Sequence, residues 1–196
     1  EDLEGCLKPL GFECVHATRK DVNSNNKSSK KNNKKGGGGV SGCTIFYKTS
    51  RYTLINSKVI HFDDLTYSPQ QMERNKNHQK RLSGTSSSLS GMVTSYHRRN
   101  TALLLLLQDQ ITGRTFCVAN GHLYWNPGYE YVKLSQCKYL LHCIQIFAPA
   151  TPSIICGDFN SKPNSVVYKY LLNGSVDART VAPWFHYFYE EQNIDD

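Results

Sequence analysis

Five consecutive leucines, Leu103 to Leu107, follow Ala102 and precede Gln108-Asp109. A run with no polar position has no face to give to water, and it is far short of the roughly 20 residues that span a bilayer. It reads as a buried strand. The turn-rich stretch Asp109 to Gly113 then leads into Thr115 to Asn120, so the two runs form an antiparallel pair. Upstream, Leu3 to Leu10 reads as a short helix with Leu3, Leu7 and Leu10 on one face, weakened in its last turn by Pro9, and Phe12 to Ala17 as a strand. Cys43 to Lys48 and Tyr52 to Asn56 read as a hairpin around Thr49 to Arg51. Downstream of Pro127 and Gly128, the positions Leu134, Cys137, Leu141 and Ile144 recur at helical spacing, with Lys133 and Gln136 on other faces. Ile154 to Cys156 reads as a further buried strand. Val166, Val167, Tyr170 and Leu171 mark a last helix that stops at Asn173-Gly174. Strand pairs alternating with crossover helices favour an α/β fold, a mixed-sheet sandwich.

Two polar stretches interrupt this pattern. Residues 21–41 place Lys27, Lys30, Lys31, Lys34 and Lys35 among Asn and Ser before Gly36 to Gly39, a composition with too little apolar surface to order itself. Residues 63–90 read as a second polar loop. The net charge of +7, from 23 Lys and Arg against 16 Asp and Glu, is concentrated in part in the first stretch, which reads either as a solvated insertion or as a basic arm that attracts phosphates. Seven cysteines without a Cys-x-x-Cys pair support neither a disulfide framework nor a zinc site and suit a reducing, intracellular compartment.

Two strand ends carry chemistry. In Ile154-Ile155-Cys156-Gly157-Asp158-Phe159-Asn160, a carboxylate and a carboxamide leave the strand together while Phe159 returns to the core. One residue of that pair can hold a proton or a metal-bound water while the other grips a phosphate oxygen; the same spacing also makes an Asx-turn ahead of a helix opening near Pro163. The second end is Phe116-Cys117-Val118-Ala119-Asn120-Gly121-His122-Leu123-Tyr124-Trp125-Asn126-Pro127. As neighbours in one sheet, the two strands would bring His122, Asp158 and Asn160 to one rim, where α/β proteins place ligands.

These two segments, with Asn173-Gly174-Ser175 and Gly42-Cys43-Thr44-Ile45-Phe46-Tyr47-Lys48, resemble the endonuclease/exonuclease/phosphatase superfamily. Within it the wording is most similar to the deadenylase, nocturnin and angel subgroup and its 2',5'-phosphodiesterases. The resemblance implies a DNase-I-like sandwich, hydrolysis of oligoadenylate or RNA phosphodiesters, and Mg²⁺ or Mn²⁺ as cofactor. It implies Asp158 as the residue that orients or deprotonates water, Asn160 and His122 as partners of the phosphate, and Asn120 as a brace for His122. It further implies a substrate contact at Asn100, while Tyr124, Trp125 and Pro127, which follow His122 directly, read either as a wall on which a base stacks or as ordinary packing of a loop onto the sandwich. The subgroup's upstream Leu-Gln-Glu and downstream Ser-Asp-His segments are absent from this chain, so the principal Glu ligand of the metal is expected upstream and residues 1–196 read as an internal fragment of one catalytic domain. Gly121 stands where the family usually has Thr, which removes a hydroxyl and loosens the backbone before His122. Other expectations are no membrane segment, a cytoplasmic or mitochondrial location, and, as the alternative function, a nucleic-acid-binding or scaffold member of the fold without turnover.

Overall fold

The computed structural model describes residues 3–18, 42–67, 96–177 and 180. In chain order the elements are α1 (Leu3–Leu7), β1 (Phe12–Thr18), β2 (Gly42–Lys48), β3 (Tyr52–His61), β4 (Thr101–Asp109), β5 (Thr115–His122), α2 (Glu130–Phe147), β6 (Ser153–Asp158) and α3 (Val166–Asn173). The leucine run is β4, and it lies between its antiparallel partners β3 and β5 in a sheet ordered β3-β4-β5-β6. Successive side chains of a strand point to opposite faces. Ala102 and Leu104 therefore pack on one side with Cys137, Leu140, Cys143 and Ile144 of α2 and Val167 of α3. Leu103, Leu105 and Leu107 pack on the other with Ala17, Cys43, Ile45 and Tyr47 of the antiparallel β1-β2 pair. Burying one such leucine stabilises by roughly 1.5–3 kcal/mol, so β4 is the seam at which the two sheets and the helical layer are held together.

Several local expectations are corrected. β2 and β3 are not a hairpin: β2 pairs with β1 and β3 with β4, and Thr49 to Arg51 is a corner between two sheets. At that corner Thr49 N–H donates to Gly11 O at 3.0 Å in the first sheet, while Gln110 N–H donates to Arg51 O at 3.0 Å in the second. β2 alternates Cys43, Ile45 and Tyr47 inward, and that apolar face requires β4 opposite it in another layer rather than β3 beside it. β3 also runs on to His61, with an irregularity between Leu54 and Asn56. The first helix ends at Leu7 and passes through a 3-10 turn, Lys8–Leu10, closed by Gly11 at φ 82. Leu3 and Leu10 stay exposed.

Lys133 and Gln136, expected on faces of α2 other than the apolar one, are buried as well. Ile154 to Cys156 is not a buried strand; β6 is the edge of its sheet, with Ile154 56% exposed. The last helix opens at Val166 behind a Ser165 cap and closes at Gly174 as expected, rather than opening at Pro163. In the second polar stretch Phe62–Tyr67 forms a 3-10 helix, and residues 68–90 lie outside the described residues, as does the insertion at 21–41. Among the described residues no helix is long and apolar enough to cross a membrane.

Candidate active site

β5 and β6 are parallel, so both strands end at the same edge, and their register closes on the pair His122↔Asp158. Gly157 permits this approach. Its φ is 129°, and a Cβ there would lie 2.0 Å from Gly121 O, closer than any side chain can come. At the rim His122 Nε2 stands 4.0 Å from Asp158 Oδ2, with the two side chains 37% and 65% exposed. The Asx-turn expected of the Asp158-Asn160 pair is present. The Asn160 N–H donates to Asp158 Oδ1 at 2.9 Å, an Asx-turn with Asn160 at φ 47°, while Asp158 Oδ2 lies on the side of His122. Asn160 Nδ2 donates to Leu123 O at 3.0 Å, fixing the carboxamide to the end of the neighbouring strand. Phe159 packs back against the helix-side core as expected.

The buried polar residues of α2 support this rim from behind. Lys133 Nζ donates to Asn160 O at 3.0 Å and forms an ion pair with Glu130 one turn earlier. A buried ammonium needs a carboxylate partner and further acceptors to offset its lost hydration. Here those acceptors include the turn that carries Asn160. Gln136 accepts from Tyr124 N–H at 2.9 Å and donates to Asn100 Oδ1 at 3.4 Å. Asn100 in turn donates to His122 O at 2.9 Å. Asn100, expected against substrate, is thus 3% exposed, with its amide spent on holding His122. Asn120 is a brace too, donating to Thr44 O at 2.9 Å across the gap between the sheets. Gly121 does not loosen the strand: it keeps register with Ala102 and Gly157, and a Cβ on it would meet Leu140 Cδ2 at 3.3 Å. A side chain in its place needs the end of Leu140 to give by a few tenths of an ångström.

Sequence reasoning missed Glu130, Lys133 and Gln136. Their mutual spacing of three residues, one stripe of a helix, was the available signal.

After His122, the ring centres of Tyr124 and Trp125 stand 6.0 Å apart, with Trp125 65% exposed and Pro127 exposed. Asn126 caps the turn that presents Pro127, its Oδ1 accepting from Gly128 N–H at 2.9 Å. The guanidinium carbon of Arg98 lies 4.6 Å from the Tyr124 ring centre and 4.8 Å from that of Tyr129. Asp63 Oδ1 accepts from the backbone N–H groups of both Arg98 and Arg99, which fixes the chain there. Tyr129 and Tyr131, with Tyr96 edge-on to Tyr131, extend the cluster. Burial pushes the Cys137 thiol up to about 11 and raises that of Cys156, whose Sγ donates to Ala119 O at 3.3 Å.

No protein-family model matches the chain. The Ccr4 3'-5'-exoribonuclease subunit of the CCR4-Not complex from Mycosarcoma maydis is 28% identical over 162 residues, a match covering 70% of this chain and 22% of that protein. Human 2',5'-phosphodiesterase 12 is 30% identical over 140 residues, covering 69% of this chain and 22% of its own length. The fold superposes on the human nocturnin catalytic domain with a TM-score of 0.61 at 22% identity, over 89% of this chain and 52% of that one. In these relatives and neighbours the chain matches the endonuclease/exonuclease/phosphatase superfamily. Its architecture is the superfamily's DNase-I-like mixed-sheet sandwich, and its relatives lie in the deadenylase subgroup. The chain spans about a fifth of the length of these two curated relatives.

Proposed function

We propose that the complete protein is a metal-dependent phosphodiesterase hydrolysing oligoadenylate or RNA, and that this chain supplies half of its site. The observation that carries the reading is the closing of the parallel β5-β6 register on His122 and Asp158, with Asn160 pinned beside them. Asp158 orients or deprotonates the attacking water. The second N–H of the Asn160 amide donates to the phosphate or to the attacking oxygen, and His122 donates to a non-bridging oxygen as charge builds on it. Tyr124, Trp125 and Pro127 offer a surface on which a base stacks, a contact of about 1–3 kcal/mol per base.

The donor set fits Mg²⁺ or Mn²⁺, because a rim carboxylate and a carboxamide are hard oxygen donors, and such ions are bound through one or two carboxylates with waters and substrate phosphates. Asp158 would hold the ion together with the Glu expected from the upstream segment. When bound, the cation neutralises charge on the phosphoryl oxygens. The alternative, a scaffold without turnover, leaves unexplained why Lys133, Gln136 and Asn100 are all buried to hold the rim in place. The seven free thiols support an intracellular setting.

Matched 2',5'- and 3',5'-linked adenylate trimers given to the complete protein with Mg²⁺ test the reading. Hydrolysis of either supports it, and the ratio of initial rates assigns the linkage. Turnover of neither, by a folded protein, points to the scaffold.

A further inference from the structure

A second group of chemistry-bearing residues lies on the outer face of β1. The alternation that sends Val15 and Ala17 into the core puts Cys14 and His16 side by side on the opposite face. α1 brings Glu4 to the same place. His16 Nε2 is 3.3 Å from Glu4 Oε2 and 3.2 Å from Cys14 Sγ, and the three donor atoms all lie within 4.8 Å of one another. The other ring nitrogen, Nδ1, is 2.8 Å from Thr44 Oγ1, on the residue that faces His16 across the β1-β2 register.

Donors around a tetrahedral zinc ion, at bonds of about 2.0–2.3 Å, stand roughly 3.3–3.7 Å from one another. Two edges of the triangle are therefore already near ligand spacing. A hydrogen bond to the second nitrogen is also how proteins orient a metal-binding histidine. The donors, a thiol, an imidazole and a carboxylate, suit a borderline-soft divalent cation and not Mg²⁺.

We propose that Glu4, Cys14 and His16 form a site for a zinc-class divalent cation, separate from the hydrolytic rim. The sequence showed no such site because Cys14-x-His16 is completed only in space, by a residue ten positions before Cys14. The cation ties α1 to the sheet, an anchor that matters because α1 buries no residue of its own. It also sits one residue from the rim's support, since Thr44 offers its hydroxyl to His16 and its carbonyl to Asn120.

The test is titration of the complete, metal-stripped protein with Co²⁺ alone, read by thiolate-to-cobalt charge-transfer absorption. The wild type is expected to saturate at one equivalent of this signal and to lose it on adding Zn²⁺. Cys14→Ser abolishes the band, Thr44→Val weakens binding about 10–100-fold, and Glu4→Gln weakens it at least about tenfold. Asp158→Asn leaves the band intact. Absence of the band from the wild type, or its persistence in Cys14→Ser, overturns the site. If Cys14→Ser does not fold, unchanged Co²⁺ affinity in Glu4→Gln overturns it equally.

Discussion

Lys133 carries a charge into the protein interior although it lies off the apolar period of α2, and two acceptors make that tenable, the Glu130 carboxylate and the carbonyl of Asn160. Lys133→Met keeps the volume but leaves Glu130 without its cation. Breaking a buried pair typically costs 3–5 kcal/mol, and Glu130 is partly solvated, so the expected loss is about 2–3 kcal/mol. The urea midpoint of the complete protein measures it, and an unchanged midpoint would remove Lys133 from the account. His122, Asp158 and Asn160 were legible in the sequence because each follows a short apolar run and has no packing reason to be there. Lys133, Gln136 and Asn100 were not. A polar residue off the apolar period of a helix, or just before a strand, is almost always solvated, and only the contacts across α2 reveal otherwise.

The elements themselves were read from local pattern, and pattern names a strand more reliably than its partner. β4 and β5 were recovered as a pair because one turn joins them and both faces are apolar. β2 and β3 were mispaired because nothing in Thr49 to Arg51 distinguishes a hairpin from a corner. The β4-β5 turn also carries a pH signature. Burial pushes the Asp109 carboxyl upward, yet the N–H groups of Ile111 and Thr112 and the Arg51 guanidinium outweigh it and hold the group below its usual value. With the folded pKa depressed, the turn's contribution is present above the unfolded value near 4 and is lost as pH falls through the folded one. Thermal unfolding followed from neutral to acid pH should show Asp109→Asn with a lower Tm at pH 7 and a flatter acid limb than wild type. Parallel curves for the two proteins would refute the assignment.

For the whole molecule, the two-stranded sheet packs, among the described residues, over the middle of the four-stranded one. Val59 is opposite Leu103 and Ile154 opposite Val118, so both lie on the face turned toward β1-β2, yet they are 37% and 56% exposed. Among the described residues no strand pairs with the outer edge of β6. Uncovered apolar strands and edges pair with other chains, so residues 1–196 alone should self-associate and fail to turn over substrate. A monomer by sedimentation, with Mg²⁺-dependent hydrolysis, would contradict this. The central claim is that the rim of β5 and β6 performs hydrolysis, and kcat of Asp158→Asn in the complete protein, on an adenylate trimer with Mg²⁺, tests it most directly. Loss of a general base costs about 10²–10⁴-fold, so a fall of at least about 10²-fold is predicted, with thermal unfolding unchanged. A well-folded Asp158→Asn protein whose kcat stays within about threefold of wild type would contradict the account.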